Sequence, residues 1–519
     1  MTYESVILIL FVIASAVSVV ARRFNLPYTI VLMAVGLLLG SFHLLNPPHL
    51  TQELLYSIFL PPLIFEAAIH LQASELYKNI GLVVALAVPG VIVAALVTAV
   101  VMVPVSIHFV QIQPISWPLG ILFGAAVAAT DPVAVGAIFK RLGAPRRLRI
   151  ITESESLLND GTSIVVFILV VSFIQGRLGS SQDAVMVFFR VVGLGILIGS
   201  VVGLVSDAVM RRIDDAMVVI TITTVAAYGS FLMAEHLGVS GVMSCVAAGL
   251  ICGEKSFFSG AIFPSIRIST ETFWEYVAFA MNSLIFLLMG FAIDIGMLWR
   301  LWPLILIAYA GVLAARFLVV LVTWAVFSPT RQRIPFRWSI VLGWGGLRGA
   351  LSMVLALSIP DSLPFKEMIV TLVFGVVLFS IFLQGLTMTG IMRLLGIVSH
   401  LPGLKHYEML KTQLILLQET LDEIERLFAR RLITPKSARA LKEEFRSQLQ
   451  AVTQKMEEVQ LDREALIHEE ILRTKRRILL EQKARLVEMF QTGSIGLEAY
   501  ETLKNELDAR LLDVESSGA

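Results

Sequence analysis

Apolar residues fill long, nearly unbroken blocks across residues 1–401, and the pattern then changes to interleaved charge as far as residue 519. A hydrocarbon core about 30 Å thick needs about 20 apolar residues as helix. Thirteen blocks meet or approach that length, at roughly 4–21, 28–43, 50–71, 80–105, 117–138, 153–174, 184–209, 216–236, 239–253, 272–293, 301–326, 338–358 and 368–395. The second and ninth are the shortest. The first is not a cleaved signal peptide, because its basic pair, Arg22 and Arg23, follows the apolar run instead of preceding it. The pattern therefore predicts an all-α polytopic membrane protein with about 13 transmembrane helices.

Basic residues in the connecting loops predict the orientation. With the N-terminus outside and strict alternation, one set of loops collects Arg22, Arg23, Lys140, Arg141, Arg146 and Arg147 among others. The opposite set holds only Arg177, Arg300 and Lys366. An N-outside, C-inside chain in the cell membrane follows, with residues 1–401 in the bilayer and 402–519 as a cytoplasmic helical tail. In that tail Thr434-Pro435 reads as an N-cap with proline at the first helical position, and Gly493-Ser494 as a stop and a new cap. The tail is expected to be a solvated helical extension, with a regulatory or dimer-supporting contact as its alternative role. Its basic cluster Arg473, Lys475, Arg476 and Arg477 reads as a solvated face before it reads as a lipid contact.

Composition agrees and sharpens the picture. The chain is 56% hydrophobic and 16% charged, with a mean hydropathy of +0.81. Soluble domains are about 25% charged, so a soluble enzyme, a disordered chain and a disulfide scaffold are all excluded. Residues 402–519 carry nearly half of the 41 Lys+Arg and just over half of the 40 Asp+Glu. The net charge of +1 is thus a cancellation, and no nucleic-acid partner is expected. Cys245 and Cys252 read as small core residues. No HExxH or other paired-ligand spacing appears, so neither a catalytic metal nor a cofactor is indicated.

A charge at mid-bilayer costs roughly 2.5–3.5 kcal/mol on insertion scales, so the few that remain inside spans are the candidates for chemistry. Asp131 stands in Ala129-Thr130-Asp131-Pro132, where proline must break or kink the fifth span and free backbone groups at membrane depth. The sixth span opens with Glu153-Ser154-Glu155-Ser156-Leu157-Leu158-Asn159-Asp160 before turning apolar. Helical spacing puts Ser156 and Asp160 on one face, and Glu155 and Asn159 on a neighbouring one. Glu66 follows Pro61-Pro62 in the third span. Arg348 lies among glycines in Gly343-Trp344-Gly345-Gly346-Leu347-Arg348-Gly349 of the twelfth. A buried guanidinium stays charged and needs a carboxylate, for which Glu155 is the expected partner. Arg316, also mid-span, has no obvious partner. Asp207, Glu235 and Asp294 lie near span ends, where structural roles are expected.

The interrupted spans correspond: the fifth of spans 1–6 and the fifth of spans 8–13. Matching Gly/Pro-interrupted helices in two halves point to inverted repeats of six with two interrupted crossing helices.

These stretches together resemble the sodium/proton exchanger branch of the monovalent cation:proton antiporter superfamily, in its prokaryotic form. The resemblance is carried by Ala129-Thr130-Asp131-Pro132-Val133-Ala134-Val135, Glu155-Ser156-Leu157-Leu158-Asn159-Asp160-Gly161, Leu60-Pro61-Pro62 with Phe65-Glu66, and Gly345-Gly346-Leu347-Arg348-Gly349-Ala350. It implies a homodimer whose core domain moves against a dimerisation domain in alternating access. It also implies that Asp160 binds either the cation or a proton. Asp131, Ser156 and the backbone at Thr130 would complete a Na+ site, with Glu66 close by. Glu155 and Arg348 would form a buried ion pair, and Asn159 before Asp160 implies electroneutral exchange. The residue chemistry is compatible: a hard alkali cation wants carboxylate, hydroxyl and carbonyl oxygens, and one carboxylate that cannot hold both ligands enforces exchange by competition.

The expectation is therefore a monovalent cation/proton antiporter, with Na+ first and K+ or Li+ as alternatives, and not an enzyme. The rival readings are a cation channel or uniporter on the same acidic site, an intramembrane protease, for which the Asp131 and Asp160 pair is only a superficial match, and a gradient sensor without transport.

Overall fold

The computed structural model describes residues 3–23, 28–42, 55–109, 115–177, 181–254, 263–397 apart from 292, 331, 361–362 and 364, then 404–458 and scattered positions of 471–510. Among them every regular element is helical. Two compact units divide the chain, Met1–Met392 and Arg393–Ala519.

The apolar blocks all carry helix. Seven helical stretches are long and apolar enough to cross a membrane on their own, and five shorter apolar helices accompany them among the described residues. The first unit begins with α1 (Tyr3–Arg23) and α2 (Tyr28–Ser41). A π-helical turn at Leu55–Phe59 leads into α3 (Leu60–His70). Pro61 and Pro62 therefore occupy the first turn of α3, where a missing N–H is not felt, and they start this helix without breaking it. The short α4 (Ala73–Lys78) precedes α5 (Ile80–Ala87) and α6 (Pro89–Phe109).

The expected break at Pro132 is present. The span divides into α7 (Trp117–Ala128) and α8 (Pro132–Leu142), with Ala129 in an extended conformation. After α9 (Arg146–Ile174) come α10 (Ser181–Met210), α11 (Ala216–His236), α12 (Gly241–Cys252), α13 (Pro264–Phe291) and α14 (Ile295–Phe327). The glycine-rich span divides likewise, into α15 (Phe336–Trp344) and α16 (Ala350–Leu357). The unit closes with α17 (Lys366–Phe379), a π-helical turn at Ser380–Gln384, and α18 (Gly385–Leu394).

Lipid supplies no hydrophobic drive between helices, so close approach through small residues holds them together. Gly195, Gly199 and Gly203 recur every fourth residue on α10 and face Ser240, Ser244 and Ala248 at the same spacing on α12. Gly249 and Gly253 continue the seam from α12 onto α3, and Gly36 and Gly290 let α2 meet α13. A Cβ at these positions would strike the neighbouring backbone or side chain. Helices α7 and α9 pack together, and α16 and α17 pack against α7.

The acids near helix ends do structural work. Asp294 caps α14 through Gly296 N–H (2.7 Å), Glu235 accepts from Gly241 N–H at the start of α12 (3.1 Å), and Asp207 pairs with Arg211 (3.1 Å).

In the second unit α19 (Leu404–Ala429) and α20 (Pro435–Glu458) pack together, joined by a turn with Arg431 in a left-handed conformation. Thr434 accepts from Ser437 N–H at 3.2 Å, which makes it the cap ahead of Pro435. Lys442 donates to Glu425 across the hairpin at 2.8 Å. The expected stop at Gly493, and Arg473, Arg476 and Arg477 of the basic cluster, lie outside the described residues.

Candidate functional site

The two interrupted spans meet at their breaks. Asp131 N–H, freed because Pro132 starts a new helix, donates to the carbonyl of Leu347 in the other break at 2.7 Å. Arg348 donates its guanidinium to the carbonyls of Ala128 (2.7 Å) and Ala129 (3.3 Å), the acceptors left bare at the end of α7. Its own N–H donates to Ser380 Oγ at 3.1 Å. Each orphan backbone group named here is thereby met by protein, as unwound backbone at membrane depth requires. Gly349 makes the crossing feasible, since a Cβ there would lie 2.6 Å from Asp131 Cβ.

Helix α9 brackets the first break. Asn159 accepts from Thr130 N–H (3.3 Å) and donates to Thr130 Oγ1 (2.7 Å) and to Glu155 Oε1 (2.9 Å). Ser156 Oγ hydrogen-bonds the carbonyl of Thr130 and lies 2.9 Å from Thr130 Oγ1. Ser156 is thus engaged with Thr130 and is absent from the described lining of the adjoining cavity.

The expected Glu155–Arg348 pair is not what forms. Glu155 gives Oε1 to Arg316 Nη1 at 2.7 Å and Oε2 to Arg316 Nη2 at 2.8 Å, with both side chains buried. Arg316 also donates to the carbonyl of Leu342 at the end of α15. The cause is packing: α14 lies against α15, and Gly346, with no side chain, lets Arg316 reach past the second break to α9. Arg348 is then satisfied by the carbonyls at the first break. The signal in the sequence was Arg316 itself, a mid-span arginine with no partner on paper.

A cavity of about 60 Å³ opens beside the crossing. That holds a few water-sized species, since one needs about 10–15 Å³ on this measure. The polar side chains among its lining residues are Thr130, Asp131, Asp160 and Asn282. Oδ1 of Asp160 is enclosed and has no hydrogen-bond partner among the described residues. Glu155 and Asp160, both on α9, thus differ sharply: Glu155 is fully spent, and Asp160 presents an uncommitted oxygen. The far wall is apolar, formed by Leu60, Leu63, Ile64 and Ala67 at helical spacing on α3, and by Ile285 on α13. Asn282 is its polar exception. Glu66 falls off the α3 stripe and is not in the described lining; its Oε1 lies 3.5 Å from His70 Nδ1, one turn on. No cluster of three or more metal-ligating His, Cys, Asp or Glu occurs among the described residues.

Two interrupted apolar helices, crossing beside a carboxylate with one enclosed and unpartnered oxygen, define the class as an ion-handling membrane protein built on interrupted helices. Comparison with known proteins gives the family: residues 7–394 match the family described as "Sodium/hydrogen exchanger, transmembrane". The chain belongs to that family. It is 37% identical over 429 residues to the Na+/H+ antiporter ApNhaP of Aphanothece halophytica, covering 82% of this chain and 81% of the relative. It is 32% identical to the Na+/H+ antiporter NhaG of Bacillus atrophaeus, over 86% and 85% of the two chains. The fold is similar to that of the sodium proton antiporter MjNhaP1 from Methanocaldococcus jannaschii, with a TM-score of 0.65, 21% identity, and coverage of 76% of this chain and 99% of that one.

Proposed function

We propose that the protein is a multi-pass secondary transporter exchanging Na+ for H+ across the membrane, with Asp160 carrying either ion in turn. The observation that carries this reading is the enclosed, unpartnered Oδ1 of Asp160 on a cavity that also holds Asp131 and Thr130. Carboxylate and hydroxyl oxygens suit a hard monovalent cation. The relatives named as Na+/H+ antiporters cover four-fifths of the chain and support the same reading. In this scheme either ligand neutralises Asp160 and lets the loaded carrier move, whereas the bare carboxylate would have to cross unpaired, which is unfavourable. Glu155 is neutralised by Arg316 and Asn159 is an amide that does not titrate, so at this turn of α9 Asp160 alone is left to exchange a proton for a cation, which supports electroneutral exchange.

The same proposal includes thirteen crossings in inverted repeats of six, an N-outside and C-inside topology, a homodimer, and alternating access of the broken-helix group against the remaining helices. The loop charge bias and the paired breaks support it. Ser156 and Asn159 serve as brackets of the Thr130 break, and Glu66 as an acid beside the path to it.

The test is Na+-gradient-driven H+ flux in proteoliposomes. Asp160→Asn is expected to abolish flux while the protein remains folded. Wild-type flux in that variant would sink the assignment, and cation flux indifferent to a proton gradient would favour a channel.

A further inference from the structure

The cavity wall facing Asp160 is built by α3 and α13, which pack against each other. Its lining residues are apolar except for one. Asn282 is buried, in a stretch that otherwise reads Ala280-Met281, then Ser283-Leu284-Ile285-Phe286, and it shares its cavity-facing side with Ile285 three residues on. A primary amide at membrane depth is costly unless something polar meets it. At this position the polar groups across the cavity are those of Thr130, Asp131 and Asp160. Ser156, which the sequence would supply as a neutral ligand, is instead engaged with Thr130.

We infer that Asn282 contacts the transported cation from the opposite wall, its amide oxygen supplying the neutral ligand that sets Na+ affinity and selectivity in this conformation. The inference rests on the exchange reading above and extends it. A carboxylate pair alone holds a monovalent cation by charge and discriminates little by size. An amide oxygen fixed on a separate helix adds a distance constraint, and a larger ion meets Asn282 before it reaches the carboxylates. Because α13 stands outside the broken-helix group, the contact belongs to one arrangement of the two walls. Asn282 then holds the cation-loaded form in that arrangement and not in the other.

The experiment uses the purified full-length protein, assayed both as Na+-dependent thermal stabilisation in detergent and as Na+/H+ exchange in proteoliposomes. Asn282→Ala is expected to raise the Na+ concentration for half-maximal stabilisation, and the KM for Na+, by about tenfold, the scale of one lost ligand interaction. Turnover at saturating Na+ is expected to stay within about twofold of wild type. Asn282→Ser, which restores a smaller oxygen donor, should recover part of the affinity and accept K+ better relative to Na+. Unchanged KM and unchanged stabilisation midpoint in Asn282→Ala would overturn the inference. So would loss of folded protein in both variants, which would assign Asn282 to packing. Should wild-type protein show Na+-dependent stabilisation but no exchange, the transport reading fails while the Asn282 contact is still decided by the stabilisation midpoint.

Discussion

Arg316 and Glu155 meet through two parallel N–H to oxygen contacts of 2.7 and 2.8 Å, in the interior between α14 and α9. Both carboxylate oxygens are consumed and the guanidinium has the Leu342 carbonyl as acceptor besides, so neither charge is left exposed to the apolar surroundings. Removing one partner of such a pair costs about 3–5 kcal/mol, because the other charge stays buried. Arg316→Ala is therefore expected to lower the melting temperature of the detergent-solubilised protein substantially, and Arg316→Met/Glu155→Leu together to recover much of it. Equal melting of Arg316→Ala and wild type would mean that the pair does not form in solution.

Arg348 should behave differently, because it serves carbonyls and not a carboxylate. Arg348→Ala leaves the Ala128 carbonyl unmet and the Ala129 carbonyl with only the longer contact from Ser352 Oγ (3.5 Å), a cost of about 1–3 kcal/mol for a buried group stranded. The damage should concentrate at the crossing. Hydrogen exchange measured across residues 126–132 should rise in Arg348→Ala more than in Arg316→Ala. Equal exchange in the two variants would remove the distinction between these arginines.

The helices, both breaks and the placement of Asp160 were legible from the sequence, since apolar length, Pro132 and the run 343–349 act locally. Partner choice was not. The sequence points Glu155 to Arg348 and offers Arg316 no partner, and only the packing of α14 past Gly346 gives Glu155 to Arg316 instead. Ser156 and Asp160 share a helical face, yet the hydroxyl bonds to the Thr130 carbonyl while the carboxylate faces the cavity. That difference depends on where the broken strand of backbone lies, which no spacing rule contains. Asn282 had a signal, one amide in an apolar span, but which face of α13 it occupied was invisible until the cavity was seen.

Asn159 is bound on three sides, to Thr130 N–H, to Thr130 Oγ1 and to Glu155 Oε1. Replacing it by Asp removes both amide donors and sets a second carboxylate about 3 Å from Glu155, where like charges cannot both ionise. Asn159→Asp is thus expected to lose exchange and stability together and not to become electrogenic. A potential-sensitive dye in proteoliposomes decides it: robust Na+-driven membrane potential in the variant would contradict the expectation.

In the helical hairpin, the Lys442 hydrogen bond and charge hold the Glu425 carboxyl below its usual range. A depressed folded-state value means that the contribution is present above the unfolded carboxyl value near 4.5 and disappears as pH falls through the lower folded value. Glu425 is exposed and Lys442 partly so, and the effect of the contact is therefore small and screened by salt. Amide protection at 425–442 in the full chain, taken relative to the intrinsic exchange rate at each pH, should fall below about pH 4.5 in the wild type and show no such step in Glu425→Gln. An identical acid response in both would assign the step to another group.

Gly349 offers the sharpest local test of the crossing. A methyl group there would sit 2.6 Å from Asp131 Cβ and 3.2 Å from its Oδ2, so something must move. The nearest atom is Asp131 Cβ, which moves only with its backbone, so relief shifts residue 131 together with its N–H contact to the Leu347 carbonyl. Gly349→Ala should therefore push the Asp131 carboxylate within the cavity while leaving Asp160, on α9, where it is. The expected result is a KM for Na+ raised by about tenfold or more, with exchange retained at high Na+, since the carboxylate that carries the ions is undisturbed. Asp131→Gly combined with Gly349→Ala should be no worse than Asp131→Gly alone, because the Cβ that the new methyl group strikes has already gone. Additive losses in that double variant would mean that the alanine acts on the backbone of the crossing itself and not through Asp131.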